Sequence, residues 1–268
     1  MLAQERRDAI LRALLASGAA TVADLADGLG VSEMTIRRDL GVLAAQQLVE
    51  KVHGGAVLAK RGAAEPHFAT KRRINAAAKA AIAEAAVARV HDGMTVALSA
   101  GTTTWQVARR LRRGVRDLTF VTNSLNVAGA LEANGWHSIV VSGGSFRTPS
   151  DALVGPFANQ TLRQLNVDLL VLGVHSIDAR VGLTTPNIAE AETNRVMVAG
   201  ARRVVVVADS SKLGQVSLAT FAGCDEVDEL ITDTGADQAT LDALADAGLP
   251  TRLVEPRPRR RPAEEAAS

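Results

Sequence analysis

Two adjacent arginines, Arg37 and Arg38, lie in a segment whose spacing predicts an amphipathic helix. Ile36, Leu40 and Leu43 recur at the three- and four-residue steps that build one buried face. At about 100° per residue, both guanidinium groups then project away from that face. Such a pair near a helix N-terminus can bind guanine edges or phosphates in a DNA major groove. A solvated amphipathic helix is the alternative, and this helix alone does not separate the two.

The segments before these arginines predict the elements that would position them. Residues 5–16 have helical spacing, and Thr21 caps a second short helix with Asp24 as the acidic partner of a capping box. Gly30 supplies the tight turn into the third helix, whose N-cap is Ser32. Helix, helix, glycine turn and helix is the order of a helix-turn-helix unit.

A predicted hairpin follows the third helix. Residues 48–52 have strand character, and a glycine pair separates them from a second apolar run at residues 56–58. This hairpin makes the predicted unit a winged helix-turn-helix. His53 at the turn could reach a DNA phosphate, and a solvated loop histidine is the alternative.

Composition limits the partners that the chain can bind. The 268 residues are 47% apolar, which suits two modest domains with real cores, and the net charge is only +1. Residues 1–60 hold seven Lys/Arg against seven Asp/Glu, which excludes a non-specific nucleic-acid coat. Binding to double-stranded DNA would therefore depend on locally placed arginines and on two heads in a homo-oligomer, a dimer or a tetramer.

Cysteine usage and apolar runs predict a cytoplasmic protein. The single Cys224 excludes an intrachain disulfide and favours a reducing compartment. No Cys/His cluster has the spacing of a zinc site, so neither a metal nor a cofactor is predicted. No apolar run approaches the length of a membrane span and no signal-peptide core is present, so no membrane association is expected.

The predicted organisation is two domains joined by a linker. Residues 1–57 form the winged helix-turn-helix domain, and residues 58–74 form the linker. Residues 75–255 form a larger effector domain, and residues 256–268, which are rich in arginine and proline, form a disordered tail.

The larger domain has a regular alternation of apolar runs with polar or helical segments. Near-continuous apolar strands that alternate with helices indicate a doubly wound, mostly parallel α/β fold with both faces of its sheet covered. Such sheets bind ligands beyond the carboxyl ends of their strands, so functional residues are expected directly after each run. The predicted strands are 94–98, 118–121, 138–141, 169–174, 203–208, 229–232 and 251–254.

The first of these strands ends in a segment rich in hydroxyl groups. Ser99 and Gly101 are followed by three threonines, Thr102, Thr103 and Thr104, which open a predicted helix. A glycine permits close backbone approach and a helix N-terminus presents free N–H groups, so the segment suits a phosphate. A threonine-capped helix start is the alternative, and the Gly-Lys-Ser/Thr ending of a P-loop is missing.

Polar or glycine-rich segments follow the next strands as well. Their carboxylates and histidine suit the hydroxyl groups of a sugar, and their lysine suits a phosphate or a carboxylate partner. For each residue alone a surface cap or an ion pair is the alternative, but the set on one edge favours ligand binding. These residues are Thr122, Asn123, Ser124, Gly143, Gly144, Asp151, His175, Asp178, Glu190 and Lys212.

Several motifs in both domains resemble those of the DeoR family of bacterial transcription regulators. The resemblance implies that the N-terminal domain is the DNA-binding head of a repressor of sugar or nucleoside catabolism genes. The matching segments are 21–26, 31–32, 35–40, 53–56, 100–104, 121–124, 143–144, 153–155, 182–184 and 208–212, together with Asp168. The predicted DNA-binding residues are Thr21, Ser32, Thr35, Arg37, Arg38 and His53.

The same resemblance implies a ligand for the larger domain. The family's effector domain is similar to ribose-phosphate isomerases, so a phosphorylated sugar is expected. By this resemblance residues 101–104 would hold the phosphate, while Asp151, Asp178, Glu190 and Lys212 would lie around the sugar.

Two functions of different classes fit these features. The first is a DNA-binding repressor that responds to a ligand, and the second is an active aldose–ketose phosphate isomerase fused to a DNA-binding head. Isomerisation needs a carboxylate base, for which Glu190 or Glu192 is available, with Asp178 to assist. A sensor also needs carboxylates, so these residues do not separate the two functions. The head favours the regulator, and no catalytic residue is predicted.

Overall fold

The computed structural model describes residues 3–45, 48–58, 67–111 and 114–256. The chain forms two compact units, residues 1–74 and 75–268. The first contains a winged helix-turn-helix head and the second an α/β sheet, which confirms the predicted fold class. Within the described ranges, no helix is both long and apolar enough to cross a membrane.

The head combines short helices with a small antiparallel sheet. Its elements are α1 (Ala3–Ser17), β1 (Ala19–Thr21), α2 (Val22–Leu29), α3 (Glu33–Ala45), β2 (Val49–Val52), β3 (Gly55–Leu58) and α4 (Phe68–Lys71). β2 and β3 form the predicted hairpin, and β3 also pairs with β1. β1 is not among the predicted strands, because its three residues show no alternation of apolar and polar side chains.

Local capping sets the turn between α2 and α3. The Thr21 hydroxyl accepts a hydrogen bond from the Asp24 N–H at 3.1 Å, so Thr21 is the N-cap of α2 as predicted. Gly30 ends α2 at a φ of +64°, a left-handed conformation that glycine adopts without strain. Ile36 and Leu40 are buried on the inner face of α3, within the core of the head. The opposite face of α3 is therefore left to solvent.

The predicted linker at 58–74 has structure in its second half. Residues 59–66, and residues 257–268 of the predicted tail, lie outside the described residues. α4 lies in the remaining part, where Phe68 and Ile74 are buried. Ile74 belongs to the hydrophobic core of the head.

The second unit is organised around a seven-stranded parallel sheet. Its strands in chain order are β4 (Thr95–Leu98), β5 (Thr119–Thr122), β6 (Ile139–Val141), β7 (Ser145–Arg147), β8 (Ala152–Val154), β9 (Leu169–Gly173), β10 (Ser176–Asp178), β11 (Gly182–Thr185), β12 (Val204–Val207), β13 (Ala219–Ala222), β14 (Glu229–Asp233) and β15 (Thr251–Val254). The large sheet has the order β15–β14–β12–β9–β4–β5–β6. It contains all seven predicted strands, because continuous apolar runs are what a sheet buried on both faces requires.

Helices cover both faces of this sheet. They are α5 (Ala76–Val87), α6 (Thr102–Ala108), α7 (Leu125–Ala133), α8 (Pro156–Leu162), α9 (Ile188–Ala199) and α10 (Gln238–Asp246). Side chains of α5, α6 and α7 share one hydrophobic core with the sheet, and those of α8, α9 and α10 share the other. This division is the doubly wound arrangement that the alternating pattern predicts.

Two small antiparallel sheets are inserted after the carboxyl ends of parallel strands. β7 and β8 pair between β6 and α8. β10 and β11, which follow β9, form a second sheet with β13, which follows β12. These strands are not among the predicted ones, because they lack the β-branched apolar runs of the large sheet. Both small sheets lie in the segments where a parallel sheet places its ligands.

Candidate functional site

The outer face of α3 presents the residues predicted to bind DNA. The Ser32 and Thr35 hydroxyl oxygens are 3.0 Å apart, and the Thr35 N–H donates to the Ser32 hydroxyl at 3.4 Å. Arg37 Nη2 lies 2.9 Å from Glu33 Oε2, with both side chains more than half exposed. Arg38 is exposed and has no ion pair with any residue that the structure describes. Arg38 is therefore the arginine of the pair that is ready to bind a partner.

Two further side chains define this face of α3. Met34 is 75% exposed, one turn before Arg38, and an apolar side chain in that position can contact a thymine methyl group. On the inner face, Arg6 Nε lies 2.5 Å from Asp39 Oδ2, and Asp39 is 4% exposed. This ion pair joins α1 to α3 and fixes the orientation of the helix that carries the arginines.

The other two residues of the predicted DNA-binding set lie outside α3, Thr21 at the end of β1 and His53 at the hairpin turn. The Thr21 hydroxyl accepts from the Asp24 N–H and donates to the Asp24 carboxylate at 2.7 Å, so its hydrogen-bonding capacity is used within the cap. His53 is exposed at the turn between β2 and β3. Contact of Thr21 or His53 with DNA stays a prediction.

In the second unit, some residues of the loop after β4 serve as internal supports. The Ser99 hydroxyl accepts from the Gly173 N–H at 2.9 Å and so joins the carboxyl ends of β4 and β9. The Thr104 hydroxyl donates to the Gly101 carbonyl at 2.9 Å. The Thr104 hydroxyl therefore shapes the loop from within, and the Ser99 hydroxyl fixes it to β9.

Thr102 and Thr103 differ from these supports. They open α6, after Gly101 at the N-cap, and each is less than a tenth exposed. Neither hydroxyl has a hydrogen-bond partner among the residues that the structure describes. With the first N–H groups of α6, these hydroxyls are what the loop offers to an anion.

Asn123 joins three segments at the same edge of the sheet. Its Oδ1 accepts from the Ala100 N–H at 2.8 Å, and its Nδ2 donates to the Leu153 carbonyl at 3.2 Å. The Leu153 N–H in turn donates to the Asn123 carbonyl at 2.7 Å. Asn123 is fully buried, so it holds the loop after β4 against β8.

The residues beside Asn123 form a second internal network. The Thr122 hydroxyl donates to the Leu98 carbonyl at 2.7 Å and accepts from the Ser124 N–H at 3.1 Å. The Ser124 hydroxyl donates to the Asp151 carboxylate, which also accepts from the Asn126 N–H at 3.1 Å. Asp151 is 1% exposed and has a left-handed φ of +59°. The structure thus brings Thr122, Ser124 and Asp151 together in a buried network, and their contact with an effector stays a prediction.

The glycine pair after β6 is needed for close packing. Gly144 has a φ of +111°, and a Cβ there would lie 2.7 Å from the Val154 carbonyl oxygen and 2.8 Å from the Ala158 Cβ. Gly143 also has a positive φ, of +67°. The pair lets the chain turn from β6 into β7 close to α8.

The residues after β9 form a hairpin. Asp178 Oδ1 accepts from the Arg180 N–H at 3.0 Å and from the Val181 N–H at 3.1 Å, so this carboxylate stabilises the turn between β10 and β11. His175 is half-buried between β9 and β10. A ligand role for either residue stays a prediction.

An arginine that sequence reasoning missed lies beside the start of α9. Arg147 Nε is 3.9 Å from Glu190 Oε2, and both side chains are mostly buried. Glu192 is more than half exposed, 3.8 Å from Arg163. The carboxylate at position 190 is therefore held by a cation, and the one at position 192 lies in solvent.

A buried carboxylate lies one turn before Lys212. Asp209 is only 2% exposed. Its Oδ1 accepts hydrogen bonds from Asn75 Nδ2 at 2.8 Å and from the Ser211 hydroxyl at 2.5 Å. Its Oδ2 lies 3.8 Å from Lys79 Nζ. Burial by itself raises the pKa of Asp209, but Lys79, Lys212 and these hydrogen bonds outweigh it and hold the pKa below its ordinary value. Asp209 is therefore charged at neutral pH.

Sequence signals for some of these missed residues do exist. Lys79 sits among the inward positions of α5, next to Ala78 and in register with Ile82 and Ala83, all of which are buried. A lysine on an otherwise apolar helix face implies a buried partner. No comparable signal marks Arg147, because its strand was not predicted.

The arrangement suits binding better than proton transfer. An isomerase needs a carboxylate that is free to act as a base, yet Asp178 supports a turn and Glu190 lies beside Arg147. No group of three or more His, Cys, Asp or Glu residues that could hold a metal occurs in the described parts of the chain.

Comparison with known families matches both units. A model described as the DeoR-like helix-turn-helix domain matches residues 6–61. A model described as the DeoR C terminal sensor domain matches residues 74–234.

Curated relatives extend the match over nearly the whole chain. The HTH-type transcriptional regulator GlpR of Haloferax volcanii is 40% identical over 249 residues, 93% of this chain and 97% of that protein. The putative aga operon transcriptional repressor of Escherichia coli O157:H7 is 38% identical over 253 residues, 93% of each. The glycerol-3-phosphate regulon repressor of Escherichia coli K12 is 29% identical over 242 residues, 90% of this chain and 95% of that protein. These relatives are regulators, so the chain is a regulator and the isomerase alternative is set aside.

Solved structures resemble the chain only distantly. Ribose 5-phosphate isomerase A from Methanocaldococcus jannaschii is 18% identical with a TM-score of 0.37, over 50% of this chain and 52% of that one.

The sensor-domain model spans more than half of the residues, and relatives at 38% and 40% identity span 93% of them. This chain belongs to the DeoR family of transcriptional regulators.

Proposed function

We propose that this chain is an operator-binding repressor whose affinity for DNA is set by a phosphorylated sugar or polyol. In this proposal α3 enters the major groove, and the carboxyl edge of the parallel sheet holds the effector. The printed names of two relatives, repressors of a glycerol-3-phosphate regulon and of an aga operon, support an effector of this class. Because the proposed operators lie on the chromosome, the protein acts in the cytoplasm.

The exposed face of α3 is the observation that carries the proposal. Arg38 lies opposite the buried side of the helix and has no ion pair among the described residues, so its guanidinium can bind the O6 and N7 atoms of guanine. Ser32 and Thr35, at the start of the same helix, supply hydroxyl groups for phosphates or base edges. Arg37 joins them when its exposed pair with Glu33 opens, which costs little.

Charge requires that more than one head act together. Residues 1–60 have equal numbers of basic and acidic side chains, so one head gains little from counterion release. A symmetric homo-oligomer, a dimer or a tetramer, places two heads on half-sites about one helical turn (~34 Å) or a multiple apart. The two sets of base contacts then add to one affinity.

The effector half of the proposal rests on the two hydroxyl groups at the start of α6 and on the charged side chains at the same edge of the sheet. Thr102 and Thr103 donate to the phosphate together with the first N–H groups of α6. Lys212 adds a positive charge, and Glu190 accepts from sugar hydroxyl groups. Asp178 and His175 are further predicted contacts at this edge, whereas Asp151 supports it through its buried hydrogen bonds.

Binding measurements on the full-length protein test both halves. An operator duplex is selected from a random-sequence pool, and its affinity is measured by fluorescence anisotropy with and without glycerol 3-phosphate, ribose 5-phosphate and several hexose phosphates. We expect one class of these compounds to change the affinity and the Thr103→Glu variant to bind DNA without responding. Failure to select any duplex would overturn the DNA half, and a Thr103→Glu variant that still responds would overturn the effector half.

A further inference from the structure

One peptide bond joins the two units of the chain. The first unit ends at Ile74, which is 8% exposed and belongs to the hydrophobic core of the head. The second unit begins at Asn75, whose amide Nδ2 donates to Asp209 Oδ1 at 2.8 Å and lies 3.5 Å from the Ser211 hydroxyl. Adjacent residues are thus held by the two different units.

The Asn75 side chain does not cap the helix that follows it. Asn75 precedes α5 at its N-cap position, but its side chain makes no capping hydrogen bond. Its φ of +52° and ψ of 36° are left-handed, a conformation that asparagine tolerates better than most residues with a Cβ. The amide is directed instead to a carboxylate 134 positions away in sequence.

The acceptor of this hydrogen bond is coupled to the edge where the effector is proposed to bind. Asp209 is followed by a single turn of 3₁₀-helix, Ser210–Lys212, and the Lys212 N–H donates to the Asp209 carbonyl at 3.0 Å. Lys79 lies 3.8 Å from the other carboxylate oxygen, so Asp209 is held by a charge on one side and by Asn75 and Ser211 on the other. Asp209 thus joins the turn that carries Lys212 to the residue where the second unit begins.

We infer that Asn75 is the positioning residue through which the effector edge of the second unit acts on the head. In this mechanism a bound phosphate attracts Lys212 and shifts the turn at Asp209. The shift alters the hydrogen bond between Asp209 and the Asn75 amide, and thereby the position of the chain where it enters the head at Ile74. This inference rests on the proposed function. By linkage, operator binding must in turn alter the Asp209–Lys212 turn.

That reciprocal effect gives a test that needs no effector. Hydrogen exchange at the amides of residues 208–213 is measured on the full-length protein, with and without the selected operator duplex. We expect operator binding to change the exchange rate by roughly fivefold or more, the scale of ordinary allosteric coupling. The inference would be overturned if operator binding left the exchange rate of the wild type unchanged. It would also be overturned if the Asn75→Gly variant showed the same change in exchange rate as the wild type.

Two variants and a matched control separate coupling from structural damage. Asn75→Gly keeps the left-handed backbone without the amide, and Asn75→Asp keeps the shape but cannot donate to Asp209. Both are expected to bind the operator and to lose the exchange response. Asp117→Gly replaces another residue of positive φ, +57°, in the same unit; Asp117 is exposed, and its variant is expected to respond as the wild type does.

The effector panel then distinguishes the two ways of failing. If no sugar phosphate changes operator affinity in the wild type, the proposed effector is wrong, whatever the exchange experiment shows. If the wild type responds and Asn75→Gly responds equally, the proposed function stands and the inference about Asn75 is wrong.

Discussion

The two units use their polar side chains in opposite ways. On α3, the predicted DNA-binding residues Arg37 and Arg38 are exposed. Among the described residues, Arg37 has one surface ion pair and Arg38 has none. At the edge of the sheet, about half of the predicted ligand residues are buried, and several of these are hydrogen-bonded to neighbouring segments of the chain. Those at 1% exposure or less are Ser99, Thr104, Thr122, Asn123, Ser124 and Asp151.

This difference follows from the two kinds of ligand. DNA is a large external surface, so the residues that read it are long side chains that extend into solvent. A small anion needs a cradle of fixed shape, so most polar groups near it serve to hold the loops, and few are left to bind. Thr102 and Thr103 are such remaining groups, whereas Asn123 is a support.

The strongest test of the supporting role concerns Asp209. Asp209→Asn removes the charge that faces buried Lys79, and we expect a loss of about 3–5 kcal/mol in the free energy of unfolding at neutral pH. Because the pKa of Asp209 is lowered in the folded state, its stabilisation is present above the ordinary pKa of 3.8 and is lost as pH falls through the folded value. The difference between variant and wild type should therefore shrink in acid.

Urea unfolding at several pH values measures this effect. The two tryptophans, Trp105 and Trp136, both lie in the second unit, so their fluorescence follows that unit alone. A difference that does not depend on pH would contradict the charge-based explanation.

Removal of the uncharged supporting residue Asn123 should lower the free energy of unfolding slightly less than the change at Asp209. Asn123→Ala leaves the Ala100 N–H and the Leu153 carbonyl without their buried partner, and we expect a loss of about 2–4 kcal/mol in the free energy of unfolding. The same tryptophan-monitored urea titration measures it. A loss below about 1 kcal/mol would mean that water replaces the amide, and the contrast between support and ligand residues would weaken.

The contrast is sharpest between neighbouring threonines. Thr103→Val removes a hydroxyl that has no partner among the described residues, and it should weaken binding of the active sugar phosphate by about 1.5–3 kcal/mol with little effect on stability. Thr104→Val removes an internal hydrogen bond to Gly101 and should mainly lower stability. Calorimetric titration and thermal unfolding of both variants check this, and equal losses of binding would contradict it.

In the head, the two arginines provide a matched pair. Arg38→Ala should lower operator affinity by about 1–3 kcal/mol if Arg38 makes a bidentate contact with guanine. Arg37→Ala should cost less, because Arg37 is partly neutralised by Glu33 at 2.9 Å. Gel-shift titration on the same duplex measures both, and an unchanged affinity for Arg38→Ala would remove Arg38 from the reading face.

The smallest expected effect is that of the exposed ion pair itself. Glu33→Gln should change the stability of the head by no more than about 0.3–0.5 kcal/mol, as pairs of this spacing on helix surfaces do. It should also raise operator affinity slightly by freeing Arg37. Circular dichroism melts and anisotropy at low salt measure the two effects, and weaker DNA binding would show that Glu33 itself contacts the operator.

Much of the head and the large sheet was predictable from local pattern. The period of Ile36, Leu40 and Leu43 identifies the inner face of α3, and that alone assigns Arg38 to the outside. Apolar runs such as Val204–Val207 mark strands covered on both sides. The strands β7, β8, β10, β11 and β13 were not predictable, because they are short and lack the β-branched apolar runs that mark the strands of the large sheet.

The sequence by itself determined the fold class, the exposed arginines and the edge of the sheet where polar groups gather, since each depends on periodicity or on topology. Only the tertiary structure decided which of those polar groups are supports. The hydrogen bonds of Asn123, Asp151 and Asp209 join segments between 23 and 134 positions apart. No local pattern encodes such a partner, because the free energy of a polar group depends on what the fold places within hydrogen-bonding distance.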